Sequence, residues 1–84
     1  MKRIYIKAFN ALKKMGVPVY EHVDDNGNFS ISAEDSESYK WANYYPDYDA
    51  WGGENTNPVL DQTLSKFRLY AEWVNPGRLS VYEA

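Results

Sequence analysis

The chain contains no cysteine and a single histidine, and these two shortages exclude several kinds of site. Without cysteine there is no disulfide framework, thiolate zinc site or cysteine nucleophile. In addition, no apolar run approaches the roughly 20 residues that a membrane-spanning helix needs. We therefore expect one small soluble domain over residues 1–84, with no membrane segment, metal or cofactor.

The beginning of the chain does not have the pattern of a secretion signal. Lysines and an asparagine interrupt the apolar residues from Lys7 onward, and no small-residue cleavage site follows them. A cytoplasmic location is the expectation for such a sequence.

The net charge is −3, but the positive and negative residues are distributed unevenly along the chain. Residues 1–19 carry five cations and no acid, whereas residues 20–64 carry ten acids and one lysine. Such blocks predict two faces of opposite sign, unless the fold interleaves them.

Helical spacing of apolar residues predicts a first helix from Arg3 to Lys14, ended by Gly16 and Pro18. Its apolar arc is expected to hold Ile4, Ala8, Ala11, Leu12 and Met15, widened by Tyr5 and Phe9. The opposite arc forms a polar, mostly basic stripe of Arg3, Lys7, Asn10 and Lys14. We call these last four residues the basic stripe.

A hairpin is predicted next, with strands over 17–23 and 28–33 joined by a turn rich in Asp, Asn and Gly. A two-residue loop would turn a tyrosine and the histidine toward the inner face, whereas a three-residue loop places Val19 and Val23 there. We favour the three-residue loop because it gives the more apolar inner face. It leaves Glu21 on the inner side, which suits an edge strand.

Catalysis and metal binding have little support in the residues present. Tyr20 and His22 are expected on the outward face beside serines, but Glu21 points to the other face and cannot orient His22 as in a triad. Residues 24–35 approach the spacing of a calcium loop, yet Phe29 stands where that loop requires glycine. We predict neither an enzyme nor a metal site.

A second helix is predicted from Ser36 to Tyr45, with Asp35 as its N-cap and Pro46 ending it. An ordered loop is expected to follow as far as Asn57, because turn-forming residues alternate there with large aromatic residues.

Asn57 and Pro58 mark the start of a third helix. Its buried side is expected to consist of Val59, Leu60, Leu64 and Phe67. Beyond it, either the helix continues or a strand over 68–74 pairs with one over 78–83, and the alternating apolar residues favour the strands. The predicted order is α-β-β-α-α-β-β, an α+β fold of about four antiparallel strands with helices packed on one face.

The most unusual segment runs from Tyr39 to Trp51, where six of thirteen residues are aromatic. In a helix, Trp41, Tyr44 and Tyr45 would form one stripe that packs on the sheet. The chain has eight tyrosines, however, which exceed what so small a core buries with every hydroxyl satisfied. Some of them must therefore lie at the surface.

The sequence thus predicts a non-catalytic protein-binding module whose acidic, tyrosine-rich face, residues 34–54, docks on a basic surface of a larger partner. Its aromatic residues would anchor the complex and its carboxylates would steer the approach. Such a domain could be an inhibitor or modulator of the phage or mobile-element type, including a nucleic-acid mimic. The predicted contact residues are Asp35, Glu37, Trp41, Tyr44, Tyr45, Asp47, Tyr48, Asp49 and Trp51.

Two alternatives use other surfaces. The basic stripe could contact nucleic-acid phosphates, although the negative net charge is unusual for that function. An exposed edge of the last hairpin, near Tyr70 and Trp73, could pair with a second copy and give a homodimer.

Overall fold

The computed structural model describes residues 1–21, 27–44 and 55–84. The elements in chain order are α1 (Arg3–Met15), β1 (Val19–Glu21), β2 (Phe29–Ser32), a short 3-10 turn (Ser38–Lys40), α2 (Pro58–Lys66), β3 (Leu69–Asn75) and β4 (Arg78–Glu83). The four strands form one antiparallel sheet in the order β1-β2-β4-β3. This arrangement confirms the predicted α+β class.

The first helix begins and ends close to where its pattern predicts. Gly16 adopts a left-handed backbone with φ 92° and ends α1, as expected of a C-cap glycine. The buried side is narrower than predicted, because Tyr5, Ala8 and Leu12 are buried whereas Ile4 is 47% exposed. Ile4 lies at the margin of the apolar arc, where the sheet does not cover it.

The first hairpin has the predicted faces but a register that is shifted by two residues. Val19 pairs with Ile31, and Glu21 pairs with Phe29, so Val19 and Glu21 share the inner face as expected. A three-residue loop over 25–27 would pair Glu21 with Ile31, so the predicted register is wrong. The predicted positions of His22 and Val23 lie outside the described residues.

The last hairpin confirms the strand alternative over the helix. Its alternating apolar residues meet across the two strands, as in Trp73 opposite Leu79. The turn is tighter than predicted, because Asn75 pairs with Arg78 and a bulge precedes Asn75. The bulge leaves Pro76 at the first central position of the turn, which is the position that proline prefers.

Phe29 is the first residue of β2, and its side chain lies at the centre of the core where α1 packs on the sheet. Its side chain has no exposed surface, and its ring makes edge-to-face contacts with Tyr5 and Phe9 at centroid distances of 6.3 and 5.3 Å. Among the described residues, the buried apolar ones are Tyr5, Ala8, Leu12, Val17, Phe29, Ile31, Ala42, Leu60, Leu64, Leu69, Leu79 and Val81.

The outer face of the sheet carries tyrosines. Tyr70 and Tyr82 stand opposite each other on β3 and β4, with ring centroids 5.8 Å apart, and are 43% and 37% exposed. The expectation that the core cannot absorb every tyrosine is therefore confirmed.

The cap of α2 is the one predicted from the sequence. Asn57 Oδ1 accepts a hydrogen bond from the Val59 amide at 2.9 Å, and Pro58 occupies the first helical position. Leu60 and Leu64 are buried, but the prediction for Val59 is wrong because its side chain is 52% exposed. Neither described helix is long and apolar enough to cross a membrane.

The junction between α2 and β3 contains a strained residue. Arg68 adopts φ 60°, a left-handed conformation that is unfavourable for residues with a Cβ. Glycine has no Cβ and adopts this conformation freely. We expect Arg68→Gly to raise the free energy of unfolding by up to about 1 kcal/mol in urea denaturation.

Gln62→Gly is the control for Arg68→Gly. Gln62 is exposed within α2, where glycine should lower the free energy of unfolding by about 1 kcal/mol. A loss of stability in Arg68→Gly as large as that in the control would contradict the assignment of strain to Arg68.

Candidate interaction surface

The segment after β2 is a hydrogen-bonded turn and not the helix that we predicted from Ser36 to Tyr45. Within the described part of this range, only Ser38–Lys40 form a 3-10 turn. Ala42 then makes an isolated antiparallel bridge with Thr56. The stripe of aromatic residues at helical spacing is therefore not formed over residues 41–44.

The buried hydroxyl of Ser38 explains why this segment is not a helix. Ser38 Oγ donates a hydrogen bond to the Ser32 carbonyl at 2.7 Å and accepts one from the Asp35 amide at 3.1 Å. Serine and aspartate compete in this way with helical backbone bonds. Asp35 thus bonds to Ser38 through its main chain and does not cap a helix, which corrects its predicted role.

Two asparagine side chains fix the second half of the segment. Asn57 Nδ2 donates to the Lys40 carbonyl at 3.1 Å. Asn55 Nδ2 donates to the carbonyls of Asn43 and Tyr44 at 3.2 and 2.9 Å. The backbone over residues 38–44 is therefore held in one conformation although it is irregular.

The structure describes four of the nine predicted contact residues. Asp35 and Glu37 are exposed, and Trp41 is half-buried against the core. Tyr44 is 40% exposed, and its ring meets Trp73 edge-on at a centroid distance of 5.1 Å. The other predicted contact residues lie outside the described residues: Tyr45, Asp47, Tyr48, Asp49 and Trp51.

Tyr39 is a surface residue that the sequence analysis did not select. Its side chain is 61% exposed, more than that of any other large hydrophobic residue in the described ranges. It was missed because the predicted helix put the aromatic stripe on other residues. No signal in the sequence marks it, because the burial of the neighbouring Ser38 is seen only in the structure.

The charges on this segment are mostly negative and open to solvent. Glu37 forms an ion pair with Lys40, with a carboxylate oxygen 2.6 Å from Nζ. The hydrogen bond from Lys40 to Glu37, followed by the charge of Glu37, raises the pKa of the Lys40 ammonium. In the part of the chain that the structure describes, the Asp35 carboxylate has no ion-pair partner.

The basic stripe lies on the solvent side of α1, as predicted. Arg3, Lys7, Asn10 and Lys14 are all exposed. Ile6 is also exposed, at 40%, among these cations, and the sequence analysis did not select it. The chain therefore presents a basic surface on α1 and an acidic one after β2.

The described residues include no group of three His, Cys, Asp or Glu side chains that could hold a metal ion. A shallow cavity of about 230 Å³ lies between the start of α1 and the start of β3, lined by Ile4, Phe67, Arg68, Leu69, Glu83 and Ala84. It is smaller than the roughly 300–1,000 Å³ of typical ligand pockets.

No family model, no curated protein and no solved structure matches the chain.

Proposed function

We propose that this chain is a non-catalytic protein-binding module that docks on a basic surface of a larger partner. The contact is made by the acidic-aromatic surface, which we define as Asp35, Glu37, Tyr39 and Tyr44. By sequence, the predicted contact residues between Tyr45 and Trp51 extend it. One observation carries the proposal: Tyr39 and Tyr44 are exposed on the same segment as the Asp35 and Glu37 carboxylates, and side-chain hydrogen bonds from Ser38 and Asn55 hold its backbone in place.

The fixed backbone supports binding because it reduces the entropy lost on association. Tyrosine offers a large contact area with only two side-chain torsions to immobilise. The bonds from Ser38, Asn55 and Asn57 order the segment before any partner arrives. Less conformational freedom is therefore lost on binding than for a flexible loop.

The charge of the surface indicates the chemistry of the partner. The carboxylates of Asp35 and Glu37 are exposed, and the sequence adds Asp47 and Asp49 nearby along the chain. Lys40 offsets one of these charges through its ion pair with Glu37. Negative charge beside aromatic anchors favours a basic protein surface and accelerates association with it.

Within this proposal, the chain acts in the cytoplasm as an inhibitor or modulator of the phage or mobile-element type. A small acidic domain can occupy a cleft that normally binds nucleic acid, because its carboxylates take the place of phosphates. The proposal assigns it no enzymatic activity and no cofactor.

Two other candidates have one supporting observation each. The exposed basic stripe supports weak nucleic-acid binding, and Lys7→Glu with Lys14→Glu should abolish it. The edge position of β3, with Tyr70 exposed, supports a homodimer formed by strand pairing.

The test of the proposed function is affinity capture from a nuclease-treated lysate of the source organism at low salt. Wild type is compared with Tyr39→Ser and with the control Val59→Ser. Both positions are more than half exposed, and neither belongs to the core, so both variants should fold normally. Only Tyr39 lies on the acidic-aromatic surface.

We expect wild type and Val59→Ser to capture the same basic protein in stoichiometric amount. Recovery with Tyr39→Ser should fall by about tenfold or more, since exposed aromatic anchors dominate the energy of such interfaces. Equal recovery with all three proteins would refute the assignment of this surface. Capture of nucleic acid alone from an untreated lysate would favour the basic stripe instead.

A further inference from the structure

We infer that α1 carries a second docking surface, and that its occupant is the acidic-aromatic surface of another copy of this chain. The surface consists of the basic stripe together with Ile6, and we call it the basic-apolar face. The inference rests on the proposed function in one respect, because it uses the same acidic-aromatic surface as one half of the contact.

Ile6 is the apolar anchor of the basic-apolar face. Its side chain is 40% exposed on the solvent side of the helix, while Tyr5 and Ala8 point into the core. Arg3 and Asn10 lie three residues before and four residues after it, so both are its neighbours on the helix surface. An apolar side chain surrounded by polar and cationic ones is the usual composition of a protein contact.

Among the residues that the structure describes, no ion pair compensates the cations of α1. The helix contains no acidic residue. The ion pairs of Met1 with Glu21 and of Lys40 with Glu37 do not involve a side chain of α1. These charges are therefore available to an acidic partner surface.

The position of Arg3 lowers the stability of its own helix. It is the first residue of α1, and the macrodipole makes a cation unfavourable at this end. Lys13 and Lys14 lie at the other end of the helix, where the dipole favours cations, so helix stability alone explains their positions. No contact in the described fold explains a cation at the position of Arg3 in this way, which supports a role in binding.

The matching surface occurs on the same chain. The acidic-aromatic surface offers carboxylates at Asp35 and Glu37 and an exposed ring at Tyr39. The basic-apolar face offers cations and the side chain of Ile6. The described ion pairs do not join the two surfaces within one molecule, so a second copy can satisfy both.

Two different surfaces in contact produce a head-to-tail assembly. Such an assembly grows into a ring or a filament when each pair of copies shares one contact, and closes as a symmetric dimer when two copies exchange both contacts. The contact relies on exposed charges, which salt screens over about 10 Å at 0.1 M. We therefore expect weak self-association that increases with protein concentration and disappears at high salt.

The test uses two complementary variants and sedimentation equilibrium at low salt. Arg3→Glu with Lys7→Glu blocks the basic-apolar face and leaves the acidic-aromatic surface intact. Asp35→Lys with Glu37→Lys does the reverse. We expect each variant alone to be monomeric and their equimolar mixture to form a one-to-one complex, because each retains the surface that the other lacks.

Wild type should show a mass that rises with concentration and returns to that of the monomer at about 0.5 M salt. Ile6→Ser should weaken this self-association by about tenfold without changing the charge. Val59→Ser should leave it unchanged. Circular dichroism verifies that each variant is folded. If a double variant does not fold, Ile6→Ser still tests the basic-apolar face.

Wild type that stays monomeric at low salt, or variants that do not pair when mixed, would overturn the inference. Self-association that stops at a dimer and resists salt would overturn it as well, and would favour pairing of β3 edges. These outcomes leave the proposed function intact if capture of a partner still depends on Tyr39. Conversely, if the two variants pair but capture is the same with Tyr39→Ser as with wild type, only the proposed external partner is refuted.

Discussion

Phe29→Ala is expected to lower the free energy of unfolding by about 3–5 kcal/mol. Phe29 has no exposed surface, and its ring is the shared neighbour of Tyr5 and Phe9, both on α1. Alanine would remove this contact and leave a cavity where the helix meets the sheet. A chain of this size has a total stability of only about 4–13 kcal/mol, so the variant should be partly unfolded near physiological temperature.

Urea denaturation followed by far-ultraviolet circular dichroism measures this loss. Phe29→Leu leaves a smaller cavity and gives a second value if the alanine variant does not fold. Val59→Ala is the control, because Val59 is exposed and its truncation should change stability by no more than about 0.5 kcal/mol. A loss below about 1 kcal/mol for Phe29→Ala would contradict the central position of this ring in the core.

Ser38→Ala is expected to lower the free energy of unfolding by about 1–3 kcal/mol although it removes one oxygen atom. The Ser38 hydroxyl satisfies both the Ser32 carbonyl and the Asp35 amide, and the side chain is buried. Its loss leaves these groups without their partner and releases the start of the acidic-aromatic surface. Partner capture should therefore weaken as well, because Tyr39 is no longer held in position.

Ser36→Ala is a closely matched control for this variant. It makes the same chemical change two residues away, at an exposed position, and should alter stability by no more than about 0.5 kcal/mol. Urea denaturation gives the stability, and hydrogen exchange at the Asp35 and Trp41 amides reports the local order. Equal effects of the two substitutions would show that the Ser38 hydroxyl does not hold the segment.

The elements that could be predicted from the sequence are those with local signals. Gly16 ends α1 and Asn57 caps α2 through contacts within a few residues of the chain. The β3–β4 hairpin was indicated by its alternating apolar residues, which pair across the two strands. Periodicity and capping are read within one short window, so these predictions needed no knowledge of the tertiary fold.

The predicted middle helix failed because distant partners decide the conformation of that segment. Ser38 bonds back to Ser32, and Asn57 bonds to the Lys40 carbonyl across seventeen positions of the chain. Helical spacing of Trp41 and Tyr44 could not reveal these bonds. The predicted burial of Ile4 and Val59 was wrong for a related reason. Helical periodicity shows which side chains share a face, but it does not show how much of that face the rest of the protein covers.

The candidate site was predictable in composition and less so in geometry. The acidic and aromatic bias of the segment was visible, and Asp35, Glu37 and Tyr44 are exposed as a contact surface requires. Tyr39 and Ile6, two of the most informative side chains, were not selected. Both became visible only when the structure showed which apolar residues the core leaves uncovered.

The central claim is that acidic residues beside fixed tyrosines guide this chain to a basic partner. The most direct measurement is the association rate constant with the captured partner across a range of salt concentrations. Wild type is compared with Asp35→Asn combined with Asp47→Asn and Asp49→Asn. We predict a rate for wild type that falls steeply as salt rises, and a slower, nearly salt-independent rate for the variant. The same rate and salt dependence for both proteins would contradict the claim.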